Sequence, residues 1–565
     1  MSPVTAAVRQ EETIVGDWYV KKPFAMLLRD ATERWGHREA LFHEGKRWSF
    51  VELEAEVDTA SRGFIALGIQ PGDHVALWMP NRPEWFFAFF ALSKIGAVTV
   101  PVNTRFRSVD LEYVLRQSDS STLVILDRSG PIDYLALTQE VVPEIAASQP
   151  QNLRSKRFPE LKRVIVLGNH PPSGTWGWED MLRLGRDVPF SEVERRHRDV
   201  DPDATTLILY TSGTTGFPKG VMHCHNIQRN VADIVNRLGY RSDDVVLVNW
   251  PLFHVMGLYL GPLMTVIAGT RTILTTTFDP AESLRFVQQE RITRIAGFDT
   301  QLNLLINHPD RETTDLASLR TGIGAVGMVS SEMIAQRAQD LLCPTVSGWG
   351  MTEIGAGVLL GYPDGPVEDR WTTSGYPLPQ LEFKVINPES GLIVPNGELG
   401  ELCARGYSIM KGYYKKPEET AKAIDNEGWL HTGDIVRMRD DGAIRFLGRF
   451  KDMLKVGGEN VDPAEVEGFL LTHPAVAQVQ IVGAYDAKLG EVVCACVVPK
   501  PGFTVTNADL AAHCHYRLAS FKIPRYTMTM DNFPITPSGK VQKFMLRDMA
   551  AEFCTKSVSA NASTN

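Results

Sequence analysis

One stretch, Tyr210-Thr-Ser-Gly-Thr-Thr-Gly-Phe-Pro-Lys-Gly220, gathers hydroxyls and glycines into a short run that closes on a lysine. Gly213, Gly216 and Gly220 let the backbone bend tightly and bring its N–H groups close to an anion. Thr211, Ser212, Thr214 and Thr215 add hydroxyl donors, and Lys219 adds a mobile positive charge. That combination suits the holding of a polyphosphate. The spacing departs from the Walker pattern, because Gly213 and Gly216 stand too close together and Gly220, not Ser or Thr, follows Lys219. On composition alone the same run also reads as a mobile turn.

Three further segments carry chemistry-bearing residues. Gly348-Trp-Gly-Met-Thr-Glu353 places an aromatic, a hydroxyl and a carboxylate in one short turn. There Trp349 could stack on a purine, Thr352 could donate to a phosphate and Glu353 could ligate Mg²⁺ through oxygen. The plainer reading is a partly buried tryptophan beside a carboxylate at a helix start. Trp429-Leu-His-Thr-Gly-Asp434 puts an aspartate after a glycine at the end of a turn, where each carboxylate oxygen could accept from one of two adjacent sugar hydroxyls. An ordinary Asx-turn is the alternative. Arg449 follows fifteen residues later and could reach the same ribose or a phosphate, or be a solvated surface arginine. Pro534-Ile-Thr-Pro-Ser-Gly-Lys540 reads by itself as a surface loop with a basic end.

The eleven-residue string resembles the signature loop of the adenylate-forming superfamily, which includes acyl-CoA synthetases, firefly luciferases and the adenylation domains of peptide synthetases. In the same order, that family carries a phosphate loop, a Tyr-Gly-x-Thr-Glu motif, a Thr-Gly-Asp motif, a Gly-Arg hinge and a terminal Gly-Lys. The resemblance runs from about Phe24 to Lys543, and the chain is similar to acyl-CoA synthetases of the fatty-acid and medium-chain type. It implies that Thr211, Ser212, Gly213, Thr214, Thr215, Gly216, Phe217, Pro218 and Lys219 hold the β- and γ-phosphates of ATP. Trp349, with Gly350 and Met351, takes the place of the usual tyrosine over adenine, a departure that keeps the stacking surface. Gly324, Ala325 and Val326 line the other side, with valine where proline is usual. Thr352 touches the α-phosphate and Glu353 binds Mg²⁺. Asp434 takes the ribose hydroxyls with Arg449 beside it, and Lys451 is the hinge. Lys540 is the adenylation lysine. Negative charge builds on phosphorus and on the departing oxygen as pyrophosphate leaves, so a positioned ammonium stabilises that transition state. The resemblance also implies a rotation about Lys451 that withdraws Lys540 and turns the Lys455–Glu459 face towards a thioester site used by CoA.

The elements that must position these residues follow from periodicity. Residues 20–200 alternate helix-period segments with short apolar strands such as Val75–Trp78 and Thr122–Leu126, which argues for α/β layers with mostly parallel sheet. The apolar run 206–210 reads as a buried strand feeding the glycine-rich loop, and 244–249 and 272–275 continue the pattern. Trp85-Phe-Phe-Ala-Phe-Phe-Ala-Leu92 is too short to span a bilayer and reads as a buried helix. Near residue 380 strands separated by turns take over. The expected architecture is α/β: an N-terminal domain (1–447) of layered α/β subdomains plus a small β-barrel-like subdomain, a hinge at 448–451, a small mobile α+β domain (452–545) and a partly disordered tail (546–565).

A chain of 565 residues exceeds one ordinary core, and 44% hydrophobic with 22% charged residues is the composition of a soluble globular enzyme. A net charge of −9 argues against a nucleic-acid surface, and seven scattered cysteines suggest reduced thiols. The N-terminus lacks the features of a secretory signal or transit peptide, so a cytoplasmic location is expected, with a homodimer allowed.

The acyl pocket is expected from 251–257, 298–300 and 322–325, including Val255, Met256, Gly257, Phe298 and Asp299. These walls are mostly apolar, with no Lys or Arg to pair a second carboxylate. His254 reads equally as a group near the reacting carboxylate or gating CoA, and as a satisfied core histidine. The triplets His223–His225 and His513–His515 lack zinc spacing. The leading expectation is ATP- and Mg²⁺-dependent ligation of a medium-chain or similar hydrophobic acid to CoA. The alternatives are an aryl or alicyclic acid, a non-catalytic nucleotide-binding homologue, or a luciferase-like oxidase on the same fold.

Overall fold

The computed structural model describes residues 19–211, 218–325, 331–456, 459–486, 489–515, 517–535 and 541–562. Two large sheets form its N-terminal part. One has eight strands and is parallel through its centre, in the order 205–211, 98–101, 74–78, 122–126, 163–167 and 176–177; strands 219–224 and 412–413 add antiparallel to its other edge. The second has nine strands. Its parallel centre runs 345–351, 321–325, 294–298, 245–248, 271–274 and 39–43.

Between the sheets lies helix Pro83–Lys94, the segment whose greasy sequence suggests a buried helix. Proline at its first turn fixes the entry, and its phenylalanines and Trp85 are all buried. A helix apolar on every side can only be satisfied inside a core. Its two charges sit at its ends, Glu84 pairing with Arg82 and Lys94 with Asp58 of helix Phe50–Ala66. Asn81, just before this helix, is buried and binds the two layers: its amide donates to the carbonyls of Trp250 (2.9 Å) and Thr275 (3.1 Å), and its oxygen accepts the Leu252 N–H at 2.8 Å.

The β-rich segment after residue 380 is a four-stranded antiparallel sheet, 381–386, 399–406, 430–438 and 444–449. Leu381, Val385, Leu402 and Leu430 from it share one hydrophobic core with Val358 and Leu359 of the nine-stranded sheet, so it is fused to the large layers.

Residues from Leu454 to Cys554 bury a separate core of their own. Its centre is the long hairpin Val476–Asp486 and Gly490–Pro499; the outer edge of Gly490–Pro499 carries Leu454–Val456 antiparallel at one end and Tyr526–Thr529 parallel further along. Residues 546–562 correct the expectation of a tail from 546: helix Lys543–Ala562 continues through them and buries Leu546, Ala550 and Cys554. Those three recur every four residues and so share one face, a pattern the polar composition of the stretch obscures. All seven cysteines are free.

Candidate active site

Four neighbouring strands of the nine-stranded sheet end on one edge. Because 245–248, 294–298, 321–325 and 345–351 pair in parallel, the segments that follow them emerge together: 249–257, Phe298–Thr300, Gly324–Ala325 and Trp349–Glu353. In parallel α/β sheets this carboxyl edge is where ligands bind. Segments scattered over a hundred residues of sequence thus meet in space.

The eight-stranded sheet brings the second half. Strand Thr205–Thr211 ends at Thr211, and Lys219 lies directly opposite it in the antiparallel partner Lys219–Cys224. The glycine-rich run therefore closes a hairpin; Ser212 to Phe217 lie outside the described residues. Tyr113 donates its hydroxyl to the Pro218 carbonyl at 2.9 Å, fixing one end of that hairpin. The Lys219 ammonium sits 4.4 Å above the ring of Tyr413 and 3.4 Å from a Glu419 oxygen.

Tyr413 ties this lysine to the other sheet, since its hydroxyl donates to Oε1 of Glu353 at 2.8 Å. Burial, and then the adjacent Glu353 carboxylate, push the phenol well above its ordinary range and keep it a proton donor. Glu353 is buried in a tight connection, Thr352-Glu353-Ile354, between strands 345–351 and 355–360. This is a hairpin turn and not a helix start. Gly355 closes it at φ +92°, and a Cβ there would lie 2.4 Å from both Asn230 Nδ2 and the Tyr259 hydroxyl. Behind it, His223 Nε2 contacts the Thr352 carbonyl at 2.6 Å. Burial holds His223 down to about 4, so its ring is neutral and this nitrogen is the N–H donor.

Trp349 leaves the nine-stranded sheet and meets the four-stranded one. Its indole N–H donates to Asp434 Oδ2 at 2.9 Å, and Phe383 packs against it edge-on at 6.5 Å. The expectation that Asp434 ends a turn is corrected: it lies inside strand Leu430–Met438, which Gly433 crosses at φ +68°. A register shift on both flanking strands absorbs the kink, so the strand continues where the glycine suggests a break. Arg449 stands opposite Asp434 in the next strand, with Nε 2.9 Å from Oδ1, and is thus no free surface arginine. Glu401 accepts the Gly433 N–H at 3.0 Å and contacts His431 Nδ1 at 3.2 Å, supporting the kink from below. Glu401, His223 and Tyr413 are functional-site supports that sequence reasoning missed. Glu401 acts from the neighbouring strand, while His223 and Tyr413 act across the gap between two sheets, so only the tertiary arrangement reveals them.

Strand Ile444–Arg449 runs into a single helical turn, Phe450–Asp452, at the expected hinge, which includes Lys451. Lys540 and Val326 lie outside the described residues, as do Gly457 and Gly458 within the Lys455–Glu459 face. The residues flanking 536–540 are pinned together by an Ile535–Val541 bridge and by Gln542 N–H to the Pro534 carbonyl at 2.8 Å. Arg105 donates to the Ile535 carbonyl at 2.9 Å. Since Arg105 follows strand Val98–Pro101, the neighbour of Thr205–Thr211, these flanks face the same sheet edge as Thr211 and Lys219.

Of the expected acyl-pocket residues, Val255 and Gly257 are buried and Met256 half-buried in a short helix that packs on the preceding turn; a Cβ at Gly257 would lie 2.1 Å from the Pro251 carbonyl. Trp250 and Phe298 stack obliquely at 4.5 Å. Asp299 is engaged structurally, accepting from Thr300 N–H at 2.7 Å and the Ser331 hydroxyl at 2.8 Å. The half-buried His254 begins the short helix, its N–H bonded to the Pro251 carbonyl at 3.0 Å. In the first His-Cys-His triplet, His225 accepts the Phe24 N–H at 3.1 Å while His223 serves Thr352, so the two rings do separate structural work.

A family model described as AMP-binding enzyme matches residues 28–414, and one described as AMP-binding enzyme C-terminal domain matches 465–540. YngI of Bacillus subtilis (strain 168), an acyl-CoA synthetase by name, is 39% identical over 530 residues, covering 93% of this chain and 96% of its own. The mitochondrial medium-chain acyl-CoA ligase ACSF2 of Homo sapiens is 33% identical over 538 residues, 93% of this chain and 87% of its own. Among solved structures, ATP-bound MatB from Rhodopseudomonas palustris superposes with a TM-score of 0.80 at 28% identity, over 93% of this chain and 98% of that one. By these matches the chain belongs to the adenylate-forming superfamily of AMP-binding enzymes and is an AMP-forming acid–CoA ligase.

Proposed function

We propose that this ligase activates a hydrophobic monocarboxylic acid, with a medium-chain fatty acid preferred, through two half-reactions at one site. In the first, a carboxylate oxygen attacks the α-phosphorus of ATP and the bond to the bridging β-oxygen breaks, releasing pyrophosphate. In the second, the CoA thiolate attacks the acyl carbonyl and AMP leaves. The observation that carries this reading is the convergence of Lys219, Glu353 and Asp434 from three different sheets, tied by Tyr413 and Trp349.

Within that frame, Thr211 and Lys219 bound the hairpin assigned to the β- and γ-phosphates, and Thr352 lies beside the α-phosphate. Asp434 and Arg449 take the ribose. Glu353 suits Mg²⁺: it is a buried carboxylate whose one oxygen is oriented by Tyr413, which leaves the hard-oxygen chemistry such an ion needs. When bound, Mg²⁺ neutralises charge on the phosphates. Lys540 supplies an ammonium to the leaving pyrophosphate and Lys451 lies at the hinge for the second half-reaction.

The acid preference rests on apolar walls. Trp250, Leu252, Val255 and Phe298 are buried at the carboxyl edge, and segments 250–257, 298–300 and 322–325 contain no Lys or Arg to pair a second carboxylate. The ACSF2 relatives, named for medium-chain acids, support the same class. Pyrophosphate release measured with short, medium, long, aromatic and alicyclic acids tests it. A maximum at about eight to twelve carbons, with aromatic acids at least tenfold slower, is expected, each tenfold being about 1.4 kcal/mol of transition-state binding. A maximum with an aromatic acid overturns the chain-length assignment.

A further inference from the structure

The bond between the Trp349 indole and Asp434 joins the residue read over the adenine to the residue read on the ribose. Trp349 comes from the nine-stranded sheet and Asp434 from the four-stranded one, so this 2.9 Å contact spans the seam between them. Asp434 is almost fully buried, at 1% exposure. A carboxylate in that setting must have its oxygens oriented by donors. Arg449 makes an ion pair with Oδ1, and the hydrogen bond that orients the carboxylate comes from the indole N–H to Oδ2. Phe383 packs edge-on against the indole from the four-stranded sheet.

A tyrosine at this position carries its polar hydrogen at the far tip of the ring. An indole carries it on the side, within the ring system, so one residue can offer a face to a base and a lateral donor to a carboxylate. We propose that Trp349 is a positioning residue for sugar recognition: through its N–H it fixes the rotamer of Asp434 and thereby sets the preference for ribose over 2′-deoxyribose nucleotides. The proposal rests on the reading of Asp434 as the ribose ligand. It makes base stacking and sugar selection two properties of one side chain, coupled rather than additive.

The test is pyrophosphate release by the full chain with ATP and with 2′-deoxy-ATP, expressed as the ratio of their kcat/KM values. The Asp434→Asn variant defines the ratio when the carboxylate no longer reads the sugar. Trp349→Phe keeps a ring but deletes the N–H, and is expected to lower the ratio about fivefold or more towards that floor, consistent with a lost hydrogen bond to a charged group. A second variant, with benzothienylalanine incorporated at position 349, replaces only the N–H by sulfur; it keeps the size of the indole should the smaller ring disturb folding, and the same fall is expected. A loss shared equally by both nucleotides, with the ratio unchanged, would mean that Trp349 contributes stacking alone and overturns the proposal. If Asp434→Asn itself leaves the ratio unchanged, the ribose assignment fails and the proposal falls with it; a ratio that falls in Asp434→Asn but in neither Trp349 variant overturns the proposal alone.

Discussion

On the proposed reading, Tyr413 prepares the Glu353 carboxylate for Mg²⁺. The hydroxyl at 2.8 Å orients one oxygen, and the same ring holds the Lys219 ammonium against its face. Tyr413→Phe keeps the ring and the cation contact but removes the donor. Its acyl-adenylate formation is expected to need about tenfold more Mg²⁺ for half-maximal rate, the equivalent of roughly 1.4 kcal/mol. An unchanged Mg²⁺ dependence would show that the hydroxyl does not prepare Glu353. His223 makes a different prediction. Its folded-state value of about 4 lies below the ordinary 6.5, so the unfolded chain binds a proton that the native chain refuses. Stability from this group is therefore complete above pH 6.5 and is lost as pH falls towards 4, by about 3 kcal/mol at most. Urea unfolding at pH 6.5 and pH 4.5 should show a smaller acid loss in His223→Gln than in the parent; equal losses contradict it.

At the scale of elements, the turn that carries Thr352 and Glu353 depends on Gly355. Its φ of +92° and the 2.4 Å approach to Asn230 and Tyr259 leave no room for a methyl group. Gly355→Ala should cost about 2–4 kcal/mol, from left-handed strain and overpacking together. It should also slow adenylation more than that instability explains at a temperature where the variant stays folded; a variant as stable and active as the parent contradicts the role of the turn. The sequence makes these elements legible to different degrees. Strands with largely apolar runs, such as 122–126 and 206–210, and the apolar run 85–92 of helix Pro83–Lys94 are readable because burial on every side leaves one pattern. The motif residues Lys219, Trp349, Glu353, Asp434 and Arg449 are readable from type and order. Their supports are not: Tyr413, His223 and Glu401 carry no local signal, since the first two contacts form between different sheets and the third between neighbouring strands, all distant in sequence. Gly433 misleads for a physical reason, because glycine serves a bulge within a strand as well as a turn. The helix continuing to Ala562 is hidden by its Ser-, Ala- and Asn-rich end, while Leu546, Ala550 and Cys554 pack one face of it into the second core.

At the scale of the molecule, the single helical turn 450–452 links the N-terminal layers to a unit with its own hydrophobic core, and Ile535 of that unit accepts from Arg105 beside the strand edge of Thr211. A domain with its own core can move as a body, since its stability does not depend on the interface. On the proposed mechanism Lys540 reaches the triphosphate in the first half-reaction and is not needed in the second. The most direct measurement is single-turnover kinetics of Lys540→Ala in both halves: acyl-adenylate formation from ATP and acid, and thioester formation from supplied acyl-adenylate and CoA. The first is expected to fall by about a hundredfold or more, the loss of one transition-state charge contact, while the second stays within about threefold of the parent. Equal losses in both halves, or none in the first, would contradict the assignment of Lys540 to pyrophosphate departure.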